Sequence, residues 1–308
     1  MLMPTTEEWL DRLGGVRQWS RNGERAAHKP LLLLYALGRY QREGEAAGLR
    51  FGEIEGELGR LLRDFGPARP TSATYPFHHL GSDPQVWEVW TNAGPGSPGA
   101  GARVLRESGA TGRLAPGLRR ALAAEPGLLD RAARLLLDAN FAPSLHADIC
   151  EAVGLDLDSA VVRQRGALQA ELRRRDPAVR REILESYEYR CAFCGYGGML
   201  DGSAVGVEAA HVRWWAFGGP DEVANGLCLC SLHHKLFDKG VLGLTEELRI
   251  TVSRRFIARG EVARGQVVAL AGRGLWGPQP GSDRVAGAYV QWHTTQVFRG
   301  EARTAVNA

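Results

Sequence analysis

The chain's apolar positions fall into helix-period stripes in its front half and into short alternating runs further on. His28-Lys29-Pro30 opens a pattern that continues through Leu31-Leu-Leu-Leu34 to Arg42. Proline is tolerated in a first helical turn, where its missing N–H has no bond to lose, so a helix is predicted there. Phe51 to Phe65 carries Ile54, Leu58, Leu61 and Leu62 on one stripe, a second helix. Thr5 or Thr6 can cap a helix running through Leu13. Residues 116 to 153 read as two or three helices packed on Leu128, Leu129, Leu135, Leu136, Leu137 and Ile149. Val86 to Trp90 alternates as a short strand, and the Gly/Pro-rich run Asn92 to Gly101 reads as a flexible loop.

Beyond residue 185 the periods shorten. Ala204 to His211 reads as a strand, as do Leu248 to Val252 and Gln266 to Leu270. Val290 to Gly300 closes the chain by packing Trp292 and Phe298, with His293 in a structural role. No internal repeat is visible. The fold class expected is α+β: a mainly helical front domain with a small sheet over residues 1–160, a basic helical linker over 161–185, and a second domain over 186–308.

Composition adds little beyond bounds. With 308 residues the chain can bury two separate cores. No apolar run reaches the roughly 20 residues of a membrane span, and Met-Leu-Met-Pro-Thr-Thr-Glu-Glu is no secretory leader, so a cytoplasmic protein with no membrane partner is expected. Net charge is only +3, and lysine occurs only at 29, 235 and 239, arginine supplying the rest. That bias matches a GC-rich bacterial genome as well as it matches phosphate binding. The clusters Arg173-Arg-Arg175 and Arg180-Arg181 are better signals, read equally as a solvated helix face or as a phosphate-contacting linker. Cys150, alone in its segment, reads as a buried helix residue.

The chemistry concentrates between Cys191 and Asp238. Cys191-x2-Cys194 and Cys230-x2-His233 have the bite of two knuckles that share one Zn²⁺, and four protein ligands leave no open position, so the zinc is read as structural. Cys228, on the same strand face as Cys230 by alternation, is the alternative ligand; Cys230 is preferred because only it has a partner at knuckle spacing. Between the knuckles, His211 ends a strand and is the candidate general base. Asn225, in a Gly-bounded turn, can bond across its loop and fix the strand carrying His211. His234 follows the zinc ligand His233 and must face away from it on a helical turn, toward a catalytic cation.

In this order the residues resemble the HNH, or ββα-metal, endonuclease family, over 187 to 252 and including the tail Phe237-Asp238-Lys239-Gly240. The resemblance implies His211 as base, Asn225 as orienting residue and His234 as ligand of Mg²⁺, Mn²⁺ or another divalent cation. Many relatives carry Asp or His just before the base as a second ligand. This chain has Ala210 there, and Glu208 or Asp238 are the substitutes on offer.

The front half pairs His28-Lys29-Pro30-Leu-Leu-Leu-Leu with Thr74-Tyr75-Pro76-Phe77-His78-His79-Leu80, followed by Trp87 and Trp90. Over residues 5 to 155 this resembles the sulfur-binding domain of type IV restriction enzymes that attack phosphorothioated DNA, which there precedes an HNH module. By that pattern His28, Lys29, Tyr75, Pro76 and His79 form or border the sulfur pocket, His28 and Lys29 holding the surrounding DNA backbone from a helix N-terminus. The implied partner is double-stranded DNA carrying a phosphorothioate, with a homodimer one route to cutting both strands. The loop 92–101 with Arg103 could follow a groove and read bases. Two rivals stay open: an HNH enzyme reading another modification or a plain sequence, and a non-enzymatic zinc protein that only binds DNA.

Overall fold

The Leu31 to Leu34 run forms the centre of its unit. In the computed structural model, which describes residues 4–18, 20–21, 24–125, 127–157 and 177–304, helix α2 (His28–Glu43) buries Leu31, Leu32, Leu33, Leu34 and Leu37 completely. A helix apolar on every side must be surrounded. Each buried leucine contributes roughly 1.5–3 kcal/mol relative to exposure. Around α2 pack α3 (Phe51–Phe65), α4 (Thr74–His79), α7 (Leu128–Asn140) and α8 (His146–Val153). Gly38 permits the close approach of α8: a Cβ there would lie 2.2 Å from the Val153 carbonyl oxygen. Ahead of α2, α1 (Thr6–Gly14) starts on a capping box. The Thr5 hydroxyl accepts from Glu8 N–H and the Glu8 carboxylate accepts from Thr5 N–H.

The chain divides into two compact units, Met1–Leu172 and Arg173–Ala308. The first also holds the ribbon β1 (Ser20–Arg21) and β2 (Glu24–Arg25), helices α5 (Ala102–Glu107) and α6 (Pro116–Ala124), and a four-stranded antiparallel sheet. The sheet's order is β3 (Leu49–Arg50), β6 (Thr111–Leu114), β4 (Trp87–Thr91), β5 (Gly94–Pro95). Trp87, fully buried on β4, meets Phe77 edge-on at 5.9 Å, and Phe77 meets Phe51 at 5.1 Å. These three rings anchor α4 in the core, which fixes the direction of its other face. The run expected as one loop from Asn92 to Gly101 begins as a hairpin, because Gly94 and Pro95 pair with Thr91 and Trp90. Leu129, Leu135 and Cys150, expected in the core, are only half-buried.

The second unit begins within the described residues at α9 (Pro177–Ser186). Arg173 to Arg175 and most of the expected 161–185 linker lie outside them. Ile183, Leu184 and Tyr187 join a core with Phe193, Val207, Leu227, Leu229, Phe237, Leu242, Ile250 and Val252. The strand expected over Ala204 to His211 is broken at Gly206, whose φ of +78° favours glycine. Its first half is β8 (Ser203–Val205), paired with β7 (Gly198–Leu200). Its second half is β9 (Val207–His211), paired antiparallel with β10 (Gly226–Cys230) so that His211 faces Gly226 and Val207 faces Cys230. Helix α10 (Ser231–Asp238) follows β10 directly, and β11 (Leu242–Leu244) pairs with β12 (Ile250–Val252). The strand expected over Gln266 to Leu270 is instead the end of α11 (Glu261–Gln266) and a 3-10 turn, Val268–Leu270. Val267, Leu270 and Ala271 are buried there, a short apolar run whose burial a turn satisfies as well as a strand. Last comes α12 (Gly287–Gln296).

Candidate functional site

The β9–β10 pair, the turn before β10 and helix α10 assemble the second unit's polar residues into two groups. In the first, ligand atoms of Cys191, Cys194, Cys230 and His233 all lie within 4.8 Å of one another, with His233 Nδ1 3.2 Å from Cys230 Sγ and 3.6 Å from Cys191 Sγ. Tetrahedral ligands about 2.3 Å from a zinc ion stand about 3.8 Å apart, so the group fits a metal. His233 Nε2 contacts the Gln266 carbonyl oxygen at 2.9 Å, the partner that turns Nδ1 toward the sulfurs. Burial alone would lower the His233 pKa, but bonds to Cys191 and Cys230 raise it to about 10. Hydrogen bonds from Cys194 and Cys230 pull the Cys191 thiol down, while the same crowding pushes Cys194 up. Cys228 is not in this group. It is fully buried, and burial pushes its thiol up to about 12, the behaviour of a core cysteine.

The second group is built around His211, Asn225 and His234. Asn225 is fully buried. Its Oδ1 accepts from Arg213 N–H at 2.8 Å, and its Nδ2 donates to the carbonyls of Arg213 at 3.0 Å and Pro220 at 2.9 Å. One amide thereby closes the loop between β9 and β10 and fixes the strand end that presents His211. His211 Nε2 lies 2.7 Å from Asp221 Oδ1. His234 sits between two carboxylates: Nδ1 is 2.6 Å from Glu208 Oε2, and Nε2 is 3.2 Å from Asp238 Oδ2. Burial alone would lower the His234 pKa, but the Asp238 bond and charge, then those of Glu208, raise it. Asp238 is buried and also accepts from the Trp214 indole N–H at 2.9 Å. Glu208 is half-exposed and accepts from the Ser231 hydroxyl at 2.8 Å.

Behind α10, the fully buried His293 stacks on Phe237 at 3.7 Å with ring planes 7° apart, and its Nε2 lies 3.1 Å from the Phe237 carbonyl oxygen. Burial pushes its pKa down to about 4, which keeps it neutral. Trp292 packs its ring on Trp214 and Phe217, 5.8 and 5.4 Å away. The closing segment thus braces both the loop and the helix of the site.

In the first unit, α4 carries a run of rings on the face opposite Phe77. His28 and Tyr75 lie 5.4 Å apart, Tyr75 and His79 4.3 Å, and His79 and His78 4.8 Å. His28 is buried, its Nε2 lies 2.8 Å from the Thr71 hydroxyl, and burial lowers its pKa to about 4. Burial, then the charges of His78 and Lys29, lowers His79 as well. Pro76 is buried beside them. His28, expected to hold DNA backbone or border the sulfur pocket, stands beside Tyr75 as a buried ring. Lys29, expected beside phosphate, directs its buried ammonium to Asp83 at 2.7 Å and Ser82 at 3.1 Å. His78 Nδ1 lies 2.7 Å from the Ser97 hydroxyl and ties the 92–101 segment to the ring cluster. Arg103 lies on α5, 2.7 Å from Glu107, on a solvent-facing side. Trp90 is exposed with the Arg113 guanidinium 5.5 Å from its ring centre.

The family model described as "ScoMcrA-like, DNA sulfur-binding domain" matches residues 6–158, and that described as "HNH endonuclease" matches 191–245. The chain joins a ScoMcrA-like DNA sulfur-binding domain to an HNH endonuclease domain. Several solved structures are similar, three of them as follows. A modification-dependent TagI restriction endonuclease is 23% identical with a TM-score of 0.29, over 46% of this chain and 41% of that one. The sulfur-binding domain of SprMcrA, complexed with phosphorothioated DNA, is 26% identical with a TM-score of 0.41, over 49% of this chain and 95% of that one. The corresponding ScoMcrA domain, likewise complexed, is 23% identical with a TM-score of 0.39, over 49% and 97%. No curated protein matches.

Within the HNH domain the structure groups Cys191, Cys194, Cys230 and His233, sets Glu208 and Asp238 against His234, and adds other residues. Asp221, Trp214, Ser231 and the Gln266 carbonyl each touch a residue singled out from the sequence. The Gly-Gly-Pro-Asp turn held a signal for Asp221, ten positions after His211 on a loop that must return to the strand. Trp214 carried none, since an indole beside a catalytic loop reads as core. In the sulfur-binding domain the additions are Thr71, His78, Ser97 and Asp83.

Proposed function

We propose that this protein is a cytoplasmic type IV restriction endonuclease: its front unit binds double-stranded DNA carrying a phosphorothioate, and its HNH domain hydrolyses phosphodiester bonds nearby. The observation that supports the reading is a strand–turn–helix unit, carrying His211, Asn225 and His234 on its successive parts, whose helix packs on the strand beside a Cys3His group.

For the front unit, Tyr75, His79, Pro76 and neutral His28 offer a weakly polar, ring-lined surface. Sulfur in a phosphorothioate is larger, more polarizable and less strongly hydrated than oxygen. An oxygen placed there would lose water without gaining a donor, a penalty of roughly 1–3 kcal/mol. Selectivity then comes from what the surface withholds. Lys29 holds the segment after α4 through Asp83 and Ser82, which fixes its ammonium at the start of α2 beside the ring cluster.

In the HNH domain, His211 takes a proton from the attacking water. Asp221 accepts from its Nε2–H, which places the basic lone pair on Nδ1 and stabilises the imidazolium that forms. Asn225 keeps the loop carrying Asp221 in register with β9. The Cys3His group would hold Zn²⁺, a structural ion that pins α10 to the Cys191–Cys194 turn. His234 with a carboxylate would hold Mg²⁺, Mn²⁺ or another divalent cation, which when bound stabilises charge on the scissile phosphate and its leaving oxygen. One such group per chain cuts one strand, so two copies acting together would give a double-strand break.

Matched duplexes with and without one sulfur substitution, incubated with the zinc-loaded protein in Mg²⁺ or Mn²⁺, test the reading. Cleavage confined to the sulfur-containing duplex is expected. Equal cleavage of both would refute sulfur recognition, and cleavage of neither would refute the nuclease.

A further inference from the structure

His234 is held on both edges of its ring by carboxylates, and this decides which of them shares its cation. The two ring nitrogens point in diverging directions. Glu208 lies against Nδ1 at 2.6 Å and Asp238 against Nε2 at 3.2 Å, so one ion on His234 can be reached by one of them and not by both.

The two carboxylates differ in everything else. Asp238 keeps a side-chain exposure of 2%, and both its oxygens are engaged: Oδ1 accepts from the Trp214 indole N–H at 2.9 Å, while Oδ2 faces His234. Magnesium and manganese retain several waters when bound, and a fully enclosed carboxylate leaves no space for them. Glu208 keeps 44% of its side chain exposed, stands second on β9, and is steered toward His234 by the Ser231 hydroxyl. Its carboxylate and His234 Nδ1 already converge on one proton. A hard oxygen and an imidazole nitrogen so placed form the pair that a divalent cation can share instead.

Resting on the nuclease reading above, we infer that Glu208 and His234 Nδ1 are the protein ligands of the catalytic cation, and that Asp238 is a positioning residue. Asp238 receives the Nε2–H of His234, which fixes the tautomer whose Nδ1 lone pair faces the ion, and Trp214 holds Asp238 in that orientation. Position 210, where many HNH proteins carry a ligand, is free to be a buried alanine because the carboxylate is supplied from two residues earlier on the same strand face.

The test uses the full-length, zinc-loaded protein and Mn²⁺ as probe, with binding followed by loss of the free-ion electron paramagnetic resonance signal. The parent is expected to bind one Mn²⁺ whose pulsed spectrum shows nitrogen from His234, absent in His234→Ala. Glu208→Gln should weaken binding more than about 100-fold, beyond the usual range for an outer partner. Glu208→Asp should recover part of the loss. Asp238→Asn should weaken binding by roughly 10- to 100-fold and keep the nitrogen signature at saturation. Zinc content, measured on each variant, certifies that the fold persists. Because Glu208 is half-exposed, its variants decide the matter even where Asp238→Asn fails to fold. Parental Mn²⁺ affinity in Glu208→Gln would overturn the ligand assignment alone, leaving cleavage of sulfur-containing DNA to stand. A parent that neither binds Mn²⁺ nor cuts would overturn both.

Discussion

Replacing Asn225 by alanine removes one small side chain and disconnects three backbone groups. Arg213 N–H loses its 2.8 Å acceptor, and the carbonyls of Arg213 and Pro220 lose donors at 3.0 and 2.9 Å, all around a side chain with no solvent exposure. A buried group left unpaired costs about 1–3 kcal/mol, and a carbonyl with a second lone pair suffers less than an N–H. Three such losses with partial relaxation come to about 3 kcal/mol, a fall of roughly 10 °C in the melting temperature of a unit this size. The chemical consequence is larger than the thermal one. The loop that Asn225 closes also carries Asp221, adjacent to Pro220, and Asp221 orients His211. A displacement of about 1 Å at a reacting group can lower a rate by about 100-fold. Differential scanning fluorimetry, paired with single-turnover cleavage of a sulfur-containing duplex well below the melting point, measures both effects. Affinity for the duplex should be unchanged. Should Asn225→Ala melt within a degree or two of the parent and cut at its rate, the loop-closing role assigned to the amide is wrong.

Three further outcomes are expected. Removing the metal of the Cys3His group with a chelator should unfold the HNH domain and leave the helical unit's circular dichroism largely intact, since ligand-driven folding energy is lost only where the ligands lie; a chelated sample with an unchanged second transition would contradict this. Asp221→Ala should lower the single-turnover rate by roughly 10- to 100-fold with little change in DNA affinity, and Asp221→Glu should restore part of it; a full-rate alanine variant would remove Asp221 from the mechanism. His293 has a folded pKa of about 4 against an ordinary 6.5, so its neutral form favours the fold: the contribution is complete above pH 6.5 and is lost as pH falls through 4, by up to about 3 kcal/mol. Urea unfolding of the parent and His293→Gln at pH 7 and pH 5 checks the sign, and the parent should lose more stability than the variant on acidification.

Much of this was legible in residue order. A threonine cap at position 5 or 6, the four-leucine run of α2, the stripe of α3 and the two metal knuckles are local patterns, each set by a period or a spacing that survives in a linear chain. So is the tandem of a sulfur-binding domain and an HNH domain. What failed was also local. Gly206 broke a strand that alternation alone would have continued, and the short apolar run near Leu270 reached its core through a turn.

The tertiary structure decided the pairings that no spacing encodes. Lys29 and Asp83 lie 54 positions apart, and only folding shows that this cation is paired with a carboxylate of its own unit. His28 is neutral because the packed unit buries it, a property of its surroundings and not of its type. Glu208 and Asp238 were interchangeable as ligands in sequence, since each stood one plausible step from the metal-facing histidine. They became distinct when packing placed one beside solvent and the other beneath an indole, on opposite edges of one ring. Sequence fixes which chemical groups are available; desolvation and direction, which exist only in three dimensions, fix what each group can do.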